Sequence, residues 1–385
     1  MNAIIILFLF IIGACIGSFL NVLIYRLPRG ESIVFPGSHC PSCGRAIKWY
    51  DNIPIISWFV LRGRCRFCKQ PISLQYPLIE LSTAIILSGL YICYFVLHIR
   101  STGKFHQPLQ FARDWPMFVA HAVLLCGLLA VSVVDVQLFI VPVPVMWFCS
   151  LVGIVASAYR PGSLMPTVSP AIALASLGAV VGLVISWCLV RTGYLQRSFL
   201  DANDKFVAEQ EDKKVRSIAI TAKNGVNPRK EILREVLFLA PAIVLGIIGF
   251  LLVKKVPWVN SMMERLWCNS RFGPHLSSGM GAVFGFLVGG GIIWSARILG
   301  TLAFGKEAMG MGDVHILAAI GAVAGWKVAI LTFFVAPLLG LIWAIYLLLA
   351  RGKRELPYGP WLAGAATIVL LFYDSIISMI FRTHL

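Results

Sequence analysis

Long apolar runs separated by short polar or basic stretches make up most of this chain. A helix needs about 20 apolar residues to cross the hydrocarbon layer, because each backbone polar group there must be satisfied within the segment. On that criterion spans are predicted near Ala3 to Ile24, Pro77 to Ile99, Pro116 to Leu138, Val143 to Ala158, Pro170 to Val190, Val236 to Val253, Ser278 to Leu299 and Pro360 to Ile380. Gly312 to Ala350 is too long for one helix and is predicted to fold as two, broken near Gly325-Trp326. The pattern therefore predicts an all-α polytopic membrane protein with about eight to ten transmembrane helices. Gln196 to Glu235 mixes both charge signs with few aromatics and reads as a solvated connector.

Composition supports this. Of 385 residues, 58% are hydrophobic and 13% charged, more apolar than one soluble core can hide. A formal charge of +16 could suggest nucleic acid, but Lys and Arg accumulate in the cytoplasmic loops of membrane proteins, so no polynucleotide partner is expected. The start lacks a basic n-region, and the first apolar run ends in Tyr25-Arg26-Leu27-Pro28-Arg29 without a small-residue cleavage site. The first helix is expected to stay as an anchor with its N terminus outside. The basic segment Arg26 to Tyr76 is then cytoplasmic, and alternation brings Arg191 to Glu235, Phe139 to Pro142, Phe304 to Gly312 and Arg351 to Tyr358 to the same face.

Within the first loop, Cys40-Pro41-Ser42-Cys43 and Cys65-Arg66-Phe67-Cys68 have the spacing of a four-cysteine zinc site. Two residues between thiolates let one turn present both sulfurs to one metal, and Gly44 and Gly63 are expected to supply flexibility beside the two knuckles. The competing reading is a pair of disulfides, disfavoured in a reducing compartment. A site with all four ligands from protein is closed and structural, so the chemistry is sought elsewhere.

Ionisable residues inside spans are costly and default to function. Glu80, Asp135, Asp313 and Asp374 qualify. Asp135 precedes Val141-Pro142, where its helix should end, and Asp313 opens a helix after Gly310-Met311-Gly312; both fall near the cytoplasmic boundary. Asp374 lies toward the other end and reads as an interfacial acid, and Glu80 as a structural hydrogen-bond or ion-pair partner. Two carboxylates at one depth can hold a water between them, one taking its proton and the other polarising a scissile carbonyl. That is aspartic protease chemistry. Gly310 and Gly312 would let an extended substrate backbone approach the acid. Helix dipoles favour Asp313, at a helix N terminus, as the anion and Asp135, near a C terminus, as the acid. The alternatives are a transporter using buried Asp residues to relay ions and a non-catalytic scaffold.

These residues together resemble the bacterial type IV prepilin peptidases, a branch of the intramembrane aspartic peptidases with a Gly-x-Gly-Asp motif. The resemblance runs through Gly17-Ser18-Phe19-Leu20-Asn21, Tyr25-Arg26-Leu27-Pro28, the cysteine loop with Asp51-Asn52-Ile53-Pro54, and Tyr76-Pro77 to Glu80. It continues in Asp135 with Pro142, Gly305-Lys306-Glu307 through Asp313, and Tyr358-Gly359-Pro360. Val143, His315 and Thr83-Ala84 depart from the family pattern. The resemblance implies a peptidase of the cytoplasmic (inner) membrane, with Asp135 and Asp313 catalytic, that cuts the leader from type IV prepilins or type II secretion pseudopilins. It also implies N-methylation of the new amine with S-adenosylmethionine. On that reading residues 1–25 form the first span, 26–76 the zinc-type loop with the methyltransferase region, and 77–385 the peptidase domain, carrying a charged insertion at about 191–235.

Overall fold

A computed structural model describes residues 2–102, 107–162, 164–195, 228–268, 270–305, 307–351 and 357–380. Most of the predicted connector, together with Lys306, lies outside the described residues.

Each predicted span corresponds to a helix. In chain order these are α1 (Asn2–Arg26), then the four-cysteine loop with a short α2 (Ile56–Val60), α3 (Gln75–Tyr91), α4 (Phe111–Leu138), α5 (Val143–Tyr159) and α6 (Pro170–Arg191). After the undescribed stretch come α7 (Pro228–Lys255), α8 (Pro257–Cys268), α9 (Gly273–Phe304), α10 (Met311–Ala324), α11 (Trp326–Arg351) and α12 (Gly359–Ile380). Eight of them are long and apolar enough to cross a membrane, and α5 and α10 are shorter apolar helices. The break between α10 and α11 falls at Gly325, whose φ of 91° ends one helix before Trp326 opens the next. Ile4, Leu7, Phe8, Leu341 and Ile342 are exposed on helix flanks, where lipid rather than water is the compatible solvent.

Where helix–helix attraction rests on packing rather than on expelling water, small residues let backbones approach. α9 and α10 meet at Gly285 and Gly321, where a methyl group on either would collide with the other's carbonyl. α10 is the most enclosed helix, with Ile316, Leu317, Ala319, Ile320 and Val323 fully buried. It packs against α4, α5, α9, α11 and α12. α1 pairs with α3, and α6 with α7.

Two elements differ from expectation. α8 is a helix that the hydropathy criterion passes over, because Asn260, Ser261, Glu264 and Arg265 make it too polar to span. It buries only Val259 and Met263, and Trp267 Nε1 just beyond donates to the Val168 carbonyl at 3.1 Å. α7 starts at Pro228 rather than Val236, which places Glu235 two turns inside a helix and 2% exposed instead of in a solvated connector.

Candidate active site and metal loop

Asp135 sits in the last turn of α4 and is 6% exposed. The helix ends at Phe139, whose left-handed φ of 55° turns the chain while its N–H caps the Asp135 carbonyl at 2.9 Å. The link Ile140–Pro142 then feeds α5. Asp313 stands in the first turn of α10, behind Gly310 at the N-cap. A methyl group on Gly312 would lie 2.5 Å from Val141 Cβ, so the start of α10 rests directly on the α4–α5 link. That contact brings Asp135 and Asp313 close enough for their charges to interact.

The two glycines therefore divide their roles. Gly312 is filled by Val141, so packing within the protein, not a passing substrate, accounts for it. Beside Gly310 the nearest groups are the Asp313 carboxylate and the Gly312 amide at 3.9 Å, which leaves room for an approaching chain.

A third element completes the site. The Gly359 N–H, at the start of α12, donates to Asp135 Oδ2 at 2.9 Å, and a side chain at 359 would place its Cβ 2.7 Å from that oxygen. A donated N–H favours the ionised carboxylate, which opposes the division of labour expected from helix dipoles alone. Tyr358, next in line, has a buried hydroxyl with no hydrogen-bond partner among the described residues and lies within electrostatic reach of Asp313. The spans did not single out either residue as part of the site, since neither has intramembrane charge. His315 turns toward α5, with its ring centroid 6.0 Å from that of Trp147.

Behind Asp313 lies an ion network that a search confined to acids within predicted spans overlooks. Arg297 of α9, 1% exposed, contacts Glu235 Oε1 of α7 at 3.1 Å and Glu307 Oε1 at 3.2 Å. Trp294 Nε1 donates to the other Glu235 oxygen at 3.1 Å. Glu307 belongs to the loop that leads into Asp313, so the network ties this loop to α7. A lone Arg inside the predicted span Ser278 to Leu299 was the available signal.

The remaining intramembrane acids take structural partners. Asp374 pairs with Arg100 at 3.3 Å. Asp114, at the opposite end of α4 from Asp135, accepts the Gln110 N–H at 3.0 Å and pairs with Arg113. Glu80 accepts the Ile55 N–H at 2.7 Å.

In the loop, Cys40, Cys43, Cys65 and Cys68 gather with all four sulfurs within 4.8 Å of one another. The Cys40 and Cys68 sulfurs are 3.8 Å apart, too far for a disulfide and close to the edge of a tetrahedron of roughly 2.3 Å metal–sulfur bonds. The knuckles are built alike: Gly44 N–H returns to the Cys40 carbonyl at 2.9 Å, and Lys69 N–H to that of Cys65 at 3.1 Å. Gly44 and Lys69 carry the left-handed turns at φ 67° and 60°. Gly63 has a different role from the one expected, packing at the Trp58 ring before the second knuckle. Backbone N–H groups of Cys68 and Phe67 hold the Cys65 thiol down, to about 6, which prepares a thiolate for a cation. Arg66, inside this knuckle, grips Asp51 through two hydrogen bonds of 2.8 and 2.5 Å.

A cavity of about 550 Å³ separates the loop from the adjoining ends of α1 and α3, with Asn21, Glu80 and Trp58 in its wall. It opens at the same end of the bundle as the acid pair, since Gln137, two residues beyond Asp135, donates to Gln75 Oε1 at 2.7 Å at the start of α3.

Fold and site together define a class: a polytopic membrane protein with two carboxylates within electrostatic reach of each other at one end of the bundle and, beside them, a four-cysteine loop that could hold a metal ion. Comparison with known proteins refines this. The Bacterial Peptidase A24 N-terminal domain matches residues 11–94, which include the cysteine loop, and the Type IV leader peptidase family matches residues 238–345, which include Asp313. Asp135 lies outside both matches. A protein of Myxococcus xanthus named prepilin leader peptidase/N-methyltransferase is 36% identical over 203 residues, covering 52% of this chain and about half of that protein, 53%. The Pseudomonas aeruginosa protein of the same name is 26% identical, over 95% of this chain and 90% of its own length. One from Xanthomonas campestris is 35% identical over 46% of this chain and 61% of its own length. No solved structure matches. The chain is thus similar to the type IV leader peptidase family in its C-terminal part and to the bacterial peptidase A24 N-terminal domain in its N-terminal part.

Proposed function

We propose that this protein is an inner-membrane aspartic endopeptidase that removes the leader of type IV prepilins or type II secretion pseudopilins at the cytoplasmic face, then methylates the new N terminus. The observation that carries the peptidase reading is the juxtaposition of Asp135, buried, and Asp313, half-buried, carboxylates from separate helices, with the Gly359 N–H fixed on the first. The ionised acid, Asp135 by virtue of that donor, takes a proton from a water as its oxygen attacks the scissile carbonyl. The protonated partner, Asp313, gives its proton to the carbonyl oxygen. Collapse of the tetrahedral adduct returns a proton to the departing amine and leaves the leader's new carboxylate. Open space beside Gly310 admits the extended substrate strand.

In the loop, Cys40, Cys43, Cys65 and Cys68 would hold zinc, and the sulfur spacing fits that ion. With no open ligand position the zinc is structural: it fixes the roof of the 550 Å³ cavity, whose size suits a small cofactor. S-adenosylmethionine would supply the methyl group there. Residues 26–76 thus serve methyl transfer and 77–385 serve cleavage.

Mass spectrometry of a prepilin incubated with the purified enzyme tests both halves, since one spectrum reports the cut and any added 14-Da methyl increment, about the mass of one CH₂. Asp135→Asn and Asp313→Asn enzymes that each retained substantial cleavage would overturn the acid-pair mechanism.

A further inference from the structure

The wall that α1 and α3 present to the loop cavity carries two buried hydrogen-bond acceptors, Asn21 and Glu80. Asn21 of α1, 4% exposed, spends an amide N–H on the Tyr76 carbonyl at 3.1 Å, and its amide oxygen has no partner among the described residues. One turn beyond Tyr76 on α3 stands Glu80, 8% exposed, with Ser18 beside it. A buried acceptor left without a donor costs more than a lost surface hydrogen bond, so such an atom calls for an explanation.

Two cations that line the cavity are already committed, and a third, Arg45, lies over the Phe67 ring. Arg26 donates to the carbonyls of Ser32 and Gly37 at 3.0 and 3.4 Å, and Arg66 is bound to Asp51. Glu80 is held in place by an unusual device. Its partner N–H belongs to Ile55, a β-branched residue at φ 65°, ψ −57°, a conformation such residues avoid. Strain of this kind persists where the surroundings over-determine it, and it collects at binding sites. The wall therefore offers a fixed carboxylate and an amide oxygen that has no partner among the described residues.

A primary ammonium has three donors, one positive charge and no acceptor, and it complements this wall. We propose that Asn21 and Glu80 form the seat for a free α-amine, the N terminus that leader cleavage exposes, and hold it in the cavity for methylation. This rests on the methyltransferase reading for its purpose but not for its test. The short path from Asp135 through Gln137 and Gln75 to α3 gives the new terminus a near destination at the same end of the bundle.

The test uses the full chain in nanodiscs and two probes, a synthetic apolar decapeptide with a free α-amine and its N-acetyl form. Wild type is expected to bind the free amine about tenfold tighter, Glu80→Gln to reduce that ratio below about threefold, and Asn21→Asp, which adds a charge, to keep or widen it. Equal binding of both peptides by wild type, or an unchanged ratio in Glu80→Gln, would overturn the proposal. If Glu80→Gln does not accumulate, a ratio in Asn21→Asp below that of wild type overturns it instead. A wild-type enzyme that prefers the amine yet never methylates a cut prepilin refutes the methyltransferase reading and leaves the amine seat standing.

Discussion

The cysteine loop and the acid pair sit at one end of the molecule, but they are assembled in opposite ways. In the loop, each knuckle is closed by hydrogen bonds a few residues long, and the two knuckles are joined by a short segment clamped by Arg66 on Asp51. The acid pair has no local closure. Asp135, Asp313 and Gly359 come from three helices, and the hydrogen bond between Gly359 and Asp135 spans 224 positions. A metal can organise the loop because its ligands are already near one another, whereas only the packed bundle can bring the carboxylates together. The loop is therefore expected to fail locally and the acid pair to fail with the bundle.

Five measurements would break or sharpen that contrast. The largest effect is expected from Asp135→Asn or Asp313→Asn, which should lower the cleavage rate by roughly 10²–10⁴-fold or more, followed by mass spectrometry of a purified prepilin, with metal content unchanged. Cleavage within tenfold of wild type would remove the pair from the mechanism.

Next comes the network on the loop that leads into Asp313. Glu235→Gln leaves Arg297 without its buried carboxylate, and breaking such a pair costs roughly 3–5 kcal/mol. Thermal unfolding in nanodiscs should show a drop of several degrees for the whole bundle, and cleavage should fall with it because Arg297, which anchors Glu307, loses its tie to α7. Replacing both residues, as Glu235→Leu with Arg297→Met, should recover much of the stability.

Gly359→Ala is smaller and more local. Its Cβ, 2.7 Å from Asp135 Oδ2, must push α12 or the carboxylate aside, at a cost of about 1–3 kcal/mol typical of overpacking. The rate of cleavage at saturating substrate should fall by about 10–100-fold, while the loop's metal content stays intact. Cys65→Ser makes the opposite test: zinc measured by atomic emission should be lost and the loop should become sensitive to protease, with cleavage changed less than tenfold, about the scale expected when the catalytic groups are untouched.

The smallest effect concerns pH. The hydrogen-bonded Arg66 guanidinium holds the Asp51 carboxyl below its ordinary value. A depressed carboxyl contributes stability that is present above the unfolded value near 4 and lost as pH falls through the folded value. The Asp51 contribution to protease protection of the loop should therefore be flat from neutral pH down to about 4, and the Arg66→Gln loop should lose the part of its acid sensitivity that comes from Asp51.

The legibility of each feature followed its range in sequence. The spans and the break at Gly325 could be read because hydropathy and glycine act over a single helix. The cysteines could be read because metal geometry demands a fixed spacing. Asp135 and Asp313 were visible as isolated charges in apolar runs, although nothing in either run showed that they meet. Gly359 and Tyr358 were noticed only within a resemblance. Arg297 was visible and passed over, and Glu235 was hidden by a helix start placed two turns late.

Sequence alone determined that this protein lives in a membrane, where its helices lie, which residues could bind a metal and which acids deserved attention. Each of those follows from properties that single segments carry: apolar length, ligand spacing and the cost of a charge in lipid. Tertiary structure decided what those acids face. It set Val141 against Gly312, aimed the Gly359 N–H at Asp135, sent Arg297 to Glu307 and left the Asn21 oxygen without a donor. Such contacts are made between segments by packing, and no one segment specifies its partner's position.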